Sequence, residues 1–505
     1  EQVMEKEGVR GVCIHGEETI FVGENLLDVF FPADFPKAFK SPPGKVVVVT
    51  DRTTASLHLP VLSGALRTCG YGDDRVLVKI IPPGEVAKTR HVKETIEDTM
   101  LAAGCGRDTV LIALGGGVVG DLSGFVASTF LRGIAFVQMP TTLLGMVDAS
   151  VGGKTGLNTP HGKNLIGAYW APKRVYINVS FLSTLPKRHI INGLSECIKV
   201  FATHNADMMT VVEKEAVTPS FPTTSFLTRC ILESVRIKAD VVTQDERESG
   251  VRSLLNFGHT LGHAVESIMV DRWTRRGEGE EPPPCTLHGE CVAVGMVKEV
   301  ELARGLGHLQ PSEVTRLRNI LKTVGLPTEL PCDLLVADLM EKMKVDKKNE
   351  NQRKRVVLLK SIGQLVKNTA VQVEDADIER VLAGSIMVRP VGGAVVKADM
   401  KAIPGSKSIS NRVLILAALS QGTCNIHGLL HSDDTRHMMN ALQELQIATF
   451  SSADEGRVLR VHGRGGEGMV APGPASPIFL GNSGTSSRFL LSLVCHCAGE
   501  TVLTG

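Results

Sequence analysis

The chain contains no apolar run long enough to cross a bilayer and no charged-then-apolar leader, so neither a membrane span nor a secretory signal is expected. It has no basic run or tail, and its net charge is +1, which gives no ground for a nucleic-acid or membrane-surface partner. Its 11 cysteines show no paired metal-type spacing, Cys495 and Cys497 standing too close together for a zinc knuckle. They read as reduced, mostly buried thiols of a cytoplasmic protein. The first 384 residues hold no internal repeat, and no segment is of low complexity. What remains, 43% hydrophobic and 22% charged residues, describes an ordinary globular protein. At 505 residues it is too long for one core, and two or three domains are expected. The chain opens on Glu1 and stops at Gly505 with no sign of a domain ending, as an excised piece would.

Against these absences, Glu248 to His263 stands out. Placed on one helix at about 100° per residue, Arg252, Asn256, His259 and His263 share a narrow stripe. Leu254, Phe257, Leu261, Val265 and Ile268 fall opposite, as a packing face. Two histidines at i, i+4 let one helix offer two ring nitrogens to one volume, one for a metal and one for a proton. The same spacing also fits a solvated or core pair. Earlier in the chain, Lys45–Thr50 reads as a buried strand ending at Asp51, a ribose acceptor or a turn cap. Val76–Ile81, Val110–Leu114 and Ile134–Met139 read as further strands, with a helix through Ala103. Strand, Gly115-Gly116-Gly117 and then a helix is a turn that lets backbone N–H groups approach a pyrophosphate. Gly152-Gly153-Lys154-Thr155 imitates the end of a P-loop, but Asp148 stands where its first glycine belongs, so that reading is rejected. Lys154, Lys163 and Asn164 are instead expected on loops beside the nucleotide. From about residue 180 the pattern turns helical. Glu196 and Lys199 at i, i+3 read as a surface pair or a site pair. Leu254–Val270 and His288–Ala303 are expected helices, Asp271–Cys285 a loop insertion, Met343–Asn349 a charged turn and Arg355–Leu359 a strand. The composition resets near Ser385–Val396, where a new βα pattern begins.

Taken together, Gly115–Asp121, Pro140–Thr142, Asp148–Thr155, Lys163-Asn164, Gly193–Lys199, Glu248–His263 and His288–Glu290 resemble 3-dehydroquinate synthase, nearly continuously over residues 10–384. Pro404–Arg412 with Lys407 and Arg412, Ser432–Thr435 and Gly481–Arg488 resemble the opening of EPSP synthase. That order is the layout of the pentafunctional AROM polypeptides of fungi and some protists. The implied fold is α/β: a Rossmann-like nucleotide-binding domain over residues 1–179 and a mainly helical metal- and substrate-binding domain over 180–384. A linker at 385–395 and an incomplete α+β EPSP synthase-like domain at 396–505 follow.

The resemblance implies conversion of DAHP, a seven-carbon sugar acid phosphate, to 3-dehydroquinate and phosphate in the shikimate pathway. Transient oxidation by NAD, phosphate elimination, re-reduction and aldol closure make up the reaction. It implies one zinc per subunit on Glu196, His259 and His288, with His263 handling a proton and Glu248, Lys199 and Asp148 also catalytic. NAD contacts are implied for Asp51, Glu85, Lys88, Gly116, Gly117, Val118, Asp121, Thr141, Thr142, Lys163 and Thr184. Substrate contacts are implied for Asp148, Lys154, Asn164, Lys199, Lys238, Arg252, Asn256, His263 and one or both of Lys347 and Lys348. Arg132 would reach the neighbouring subunit's site in a homodimer. Thr53 in place of the family's usual Asn, Gly145 in place of Ala and a long 271–285 insertion are departures. Four cationic side chains in one cleft would repel one another unless a polyanion occupied it. A polyol dehydrogenase of the same superfamily, pairing NAD with a metal, remains the alternative, and net NADH formation would reveal it. A sibling cyclase acting on glucose 6-phosphate is a further one, against which the fused EPSP synthase start argues.

Overall fold

The computed structural model describes residues 5–6, 8–160, 162–274, 282–331, 334–344, 354–383, 406–453, 458–465, 468–481, 483–497 and 499–504. The chain divides into two compact units, Glu1–Glu329 with Leu339–Asp377, and Leu330–Asp338 with Ile378–Gly505.

The first unit begins with strands β1 (Glu5–Lys6), β2 (Val9–Ile14), β3 (Glu17–Gly23), β4 (Val46–Asp51), β5 (Val76–Ile81), β6 (Val110–Gly115) and β7 (Ala135–Pro140). They continue with β8 (Lys154–Thr159), β9 (Gly162–Tyr169) and β10 (Arg174–Asn178). An eight-stranded sheet runs in the order β1-β2-β3-β10-β7-β6-β4-β5, parallel from β3 to β5, with β1 and β2 antiparallel at its edge. Val46 to Val49 are fully buried, as is all of β6, because a parallel sheet covered on both faces needs unbroken apolar strands. Helices α1 (Phe30–Asp34), α2 (Arg52–Thr68), α3 (Arg90–Ala102) and α4 (Gly117–Thr129) accompany these strands. The four strands predicted for this sheet, Lys45–Thr50, Val76–Ile81, Val110–Leu114 and Ile134–Met139, are present to within a residue. This is the Rossmann-like sheet-and-helix part. The carboxyl ends of β7, β6 and β4 lie side by side, with α4 starting directly after β6.

Helices α5 (Lys187–His204), α6 (Ala206–Ala216), α7 (Thr224–Gln244), α8 (His259–Thr274), α9 (His288–Gly305) and α10 (Pro311–Val324) follow. The expected division at residues 179/180 falls inside this first unit. α9 is buried from Gly289 through Val300, with polar Glu290, Lys298 and Glu299 among its buried residues. A close helix contact explains one of its glycines: a Cβ on Gly295 would sit 1.9 Å from the Gly258 carbonyl oxygen. Gly258 itself has φ +77°, and a Cβ there would meet the Val292 carbonyl at 2.7 Å.

That glycine overturns one expectation. The stretch from Glu248 to His263 is not one helix: Val251–Asn256 is a 3-10 turn, the chain reverses at Phe257-Gly258, and α8 starts at His259. The apolar positions Leu254, Phe257, Leu261, Val265 and Ile268 are buried even so. Two further expectations shift. Lys154, Lys163 and Asn164 lie in the antiparallel pair β8–β9 rather than in loops, because Gly156 and Gly167 let the two backbones approach closely against α4. The strand expected over Arg355–Leu359 is two short ones, Lys354–Val356 and Leu359–Ser361.

In the second unit, helices Lys407–Leu419, Asp433–Glu444 and Gly484–Val494 accompany a three-stranded antiparallel sheet centred on Val458–Arg464. Leu414, Met438, Leu442, Val461 and Leu490 lie in its core, an α+β arrangement as expected. Residues 384–405, which include the predicted linker, lie outside the described residues. Among the described residues no helix is long and apolar enough to cross a membrane.

Candidate active site

Three helices bring the proposed metal ligands together. Glu196 projects from α5, His259 opens α8 and His288 opens α9. Glu196 Oε1 lies 3.7 Å from His259 Nε2 and 3.5 Å from His288 Nε2. This oxygen is buried and accepts no hydrogen bond among the described residues. His263, one turn along α8, joins the group, and the ring nitrogens of His259, His263 and His288 lie within 4.8 Å of one another. The rings of His259 and His288 are each also held at the other nitrogen: His259 Nδ1 is 3.2 Å from the Phe257 carbonyl, and His288 Nδ1 is 3.0 Å from Glu266 Oε2. Burial alone would pull the His288 pKa down, but the Glu266 and Glu196 carboxylates outweigh it and hold it up at about 10. A buried carboxylate oxygen aimed at two imidazole nitrogens is a donor set that fits a divalent cation.

Glu196 and Lys199, which the sequence left open as a surface pair, are instead 1% and 2% exposed and ion-paired. Lys199 Nζ is also 4.0 Å from Asp148 Oδ1, to which Lys238 of α7 donates at 2.5 Å. Burial works against both ammoniums. In Lys199 the Glu196 and Asp148 carboxylates outweigh it and raise the pKa, whereas in Lys238 it wins and the pKa falls. Asp148 sits in a π-helical turn, Gly145–Ala149, after β7. Despite burial, its carboxyl is held well below the usual range by Lys238 and Lys199.

Lys154 pairs with Glu248 Oε2, whose Oε1 accepts from Asn256 Nδ2 at 2.5 Å. Glu248 has φ +61°, a left-handed conformation uncommon for a side chain of its kind. Arg252, 2% exposed, donates to the Gly152 carbonyl at 2.9 Å and to the Glu246 carbonyl.

Beyond β6, Gly116 caps α4 and Gly117 begins it, leaving backbone N–H groups at a helix N-terminus as an anion cradle. Val118 and Asp121 lie in the first two turns, and Thr141-Thr142 follow the adjacent β7. A Cβ on Gly116 would meet Thr142 Cγ2 at 3.2 Å. Lys88 Nζ bridges Asp121 Oδ2 at 2.6 Å and Asn164 Oδ1 at 2.5 Å. Glu85 accepts from Asn158 Nδ2 at 2.6 Å. Asp51 caps α2, accepting from the Thr54 N–H at 2.9 Å and the Thr54 hydroxyl at 2.8 Å. Thr184 Oγ1 is 3.0 Å from His58 Nε2.

The chain thus brings most predicted residues to one region, but not all. Arg132 is exposed in the turn after α4, at the opposite end of that helix from Gly117. Lys347 and Lys348 lie outside the described residues. Two residues of the site were missed. Glu266 holds His288 and also accepts from Lys163 Nζ at 2.7 Å. Its spacing from His263 (i+3) and His259 (i+7) put it on their helical face, so a signal existed. Asp245, at the end of α7, holds the loop that carries Glu248 and Arg252, and nothing in the sequence marked it.

Residues 78–192 match the family described as 3-dehydroquinate synthase N-terminal, residues 193–349 the 3-dehydroquinate synthase C-terminal family, and residues 391–505 the EPSP synthase (3-phosphoshikimate 1-carboxyvinyltransferase) family. The pentafunctional AROM polypeptide of Schizosaccharomyces pombe is 43% identical over 528 aligned residues, covering 98% of this chain and 32% of that protein. The chain therefore spans about a third of that relative's length. Among solved structures, ValA (2-epi-5-epi-valiolone synthase) from Streptomyces hygroscopicus subsp. jinggangensis 5008, with NAD+ and Zn2+ bound, is 27% identical. Its TM-score is 0.60, and the match covers 72% of this chain and 95% of that one. A 2-deoxy-scyllo-inosose synthase complexed with carbaglucose-6-phosphate, NAD+ and Co2+ shares the fold at 23% identity and a TM-score of 0.62, over 74% of this chain and 99% of that chain.

Proposed function

Because this chain belongs to the 3-dehydroquinate synthase family over residues 78–349 and to that of EPSP synthase over residues 391–505, we propose that its residues 10–384 convert DAHP to 3-dehydroquinate and phosphate. The observation that carries this reading is the meeting of Lys199, Lys238 and Asp148 beside the Glu196–His259–His288 group. A metal-dependent polyol dehydrogenase has no use for such a density of ammonium groups around its substrate. The ValA relative, whose structure holds NAD+ and Zn2+, supports both cofactors here. Bound in this chain, NAD supplies a reversible hydride acceptor, and zinc, held by Glu196, His259 and His288, supplies a Lewis acid.

The chain's own side chains do the rest. The α4 N-terminus, with the Gly116–Val118 N–H groups, would hold the phosphates of NAD, and Lys88, Asp121, Thr141 and Thr142 would surround them. Lys154, Lys199, Lys238 and Arg252 bind the substrate phosphate and carboxylate, with Asn164 and Asn256 on its hydroxyls. Asp148 and Glu248 hold the ammoniums in position. His263 moves the proton at the substrate hydroxyl that is oxidised. We divide this part at residues 179/180 into nucleotide-binding and helical domains, and Arg132 completes the site of a second copy in a homodimer. Residues 396–505 form an incomplete EPSP synthase domain that is inactive alone. In the parent chain it is fused to further shikimate-pathway enzymes.

The test is phosphate release from DAHP by the purified chain, with NADH absorbance followed in the same sample. Release that needs NAD and zinc, without NADH accumulating, is the expected result. Steady NADH from a panel of polyols with no phosphate released would establish the dehydrogenase instead.

A further inference from the structure

Glu266 connects two parts of the site that the sequence treated separately. It lies on α8 and is 7% exposed. One oxygen, Oε2, is 3.0 Å from Nδ1 of His288. The other, Oε1, accepts from Lys163 Nζ on β9 at 2.7 Å. A carboxylate on Nδ1 fixes the ring with Nε2 aimed at Glu196 Oε1, 3.5 Å away, where a bound metal would take the place of the Nε2 proton. His259 is turned at Nδ1 by the neutral Phe257 carbonyl, whereas His288 is turned at Nδ1 by a charged partner. Lys163 belongs to the hairpin that also carries Lys154 and Asn164, the groups read as facing the nucleotide and the substrate.

We propose that Glu266 is a positioning residue that sets the orientation of His288 for metal binding and ties it, through Lys163, to the β8–β9 hairpin, so that hairpin placement and metal affinity are coupled. The proposal rests on the reading of Glu196, His259 and His288 as the metal-binding set. Its consequence is that Lys163, which touches no imidazole, still influences how tightly the metal is held.

The experiment uses the whole chain stripped of metal. Co2+ is titrated while its visible absorption is followed, and Zn2+ affinity is measured by competition with a chromophoric chelator. Glu196→Gln is the control for the underlying reading. If it binds metal as tightly as the wild type, the ligand assignment fails, whatever Glu266 does. With that control passed, Glu266→Gln is expected to weaken metal binding by roughly 10- to 100-fold and to alter the Co2+ spectrum. Lys163→Met is expected to weaken it by a smaller factor. Combining the two is expected to add little to Glu266→Gln alone, because both break one chain of contacts. Affinity within about twofold of wild type in Glu266→Gln overturns the positioning role. Unchanged affinity in Lys163→Met overturns the link to the hairpin. Should Glu266→Gln fail to fold, Lys163→Met decides the matter, its side chain being 38% exposed and removable without opening the core.

Discussion

Replacing Asp245 with Ala asks whether the loop presenting Glu248 and Arg252 is held by one carboxylate. Asp245 accepts from the backbone N–H of Ser249 at 2.9 Å, Gly250 at 2.7 Å and Arg252 at 3.0 Å, and from the Ser249 hydroxyl at 3.2 Å. A hydrogen bond to a charged group contributes roughly 1.5–3 kcal/mol. These bonds share a single acceptor, and water replaces part of what is lost, so they do not add. An overall loss of about 3 kcal/mol in loop ordering is expected. At 1.36 kcal/mol per factor of ten, that is a roughly 100-fold rise in loop opening. Amide hydrogen exchange at Ser249, Gly250 and Arg252 should accelerate by about this factor, while amides of β4 and β6 hold their rates. Burial pushes the Asp245 carboxyl up, but the N–H donors of Ser249, Arg252 and Gly250 outweigh it and hold its pKa at about 2. A depressed folded-state value means that the stabilisation is complete above the unfolded-state value and is lost as pH falls through about 2. The difference between wild type and Asp245→Asn should therefore stay constant from about pH 5 to about pH 9. A difference that drifts across that window refutes the reasoning, as does unchanged exchange at the three amides in Asp245→Ala.

Gly295→Ala places a methyl 1.9 Å from the Gly258 carbonyl, so α8 and α9 must part. We expect about 1–3 kcal/mol of lost stability and weaker metal binding, measured by denaturant unfolding and metal competition. Gly64→Ala in α2 meets nothing within 4 Å and should instead stabilise by up to about 1 kcal/mol; equal effects from the two would discredit the close-approach account. Lys238→Met strips Asp148 of its partner at 2.5 Å and leaves Lys199 at 4.0 Å. Unfolding should cost about 3–5 kcal/mol less, and DAHP turnover should fall steeply, whereas a fully active, equally stable variant would remove Lys238 from the site.

Residues that act through local pattern were legible in the sequence, and residues that act through distant contacts were not. Val46–Thr50 and Gly115–Gly117 announce a strand and a phosphate-type turn because burial on both faces and a tight turn each demand particular residues locally. Glu196 and Lys199 look the same at i, i+3 whether they lie on the surface or, as here, at 1% and 2% exposure; the elements packed against α5, α7 and α9 among them, decide. The break at Gly258 was invisible for a related reason: helical periodicity carries no record of a positive φ, and the Val292 carbonyl that leaves no room for a side chain there comes from another helix. Lys163 was legible as a site cation, but its pairing with Glu266 spans 103 residues.

The charges of the site also change the reason it suits a polyanion. Taken one by one, Lys154, Lys199, Lys238 and Arg252 suggest an excess of positive charge that only an anionic substrate relieves. In the folded chain Lys154 pairs with Glu248, Lys199 with Glu196 and Lys238 with Asp148, while the Arg252 guanidinium rests on two carbonyls. Four cations against three carboxylates leave a surplus of about one charge, so mutual repulsion is not what a substrate relieves. The proposed divalent ion at Glu196 would raise that surplus to about three, close to the charge of one carboxylate and one phosphate group. The acids also hold each ammonium in place before any ligand arrives. A ligand anion then meets donors that need not reorganise, and preorganisation, rather than relief of repulsion, becomes the source of its binding and of its stabilisation as charge develops.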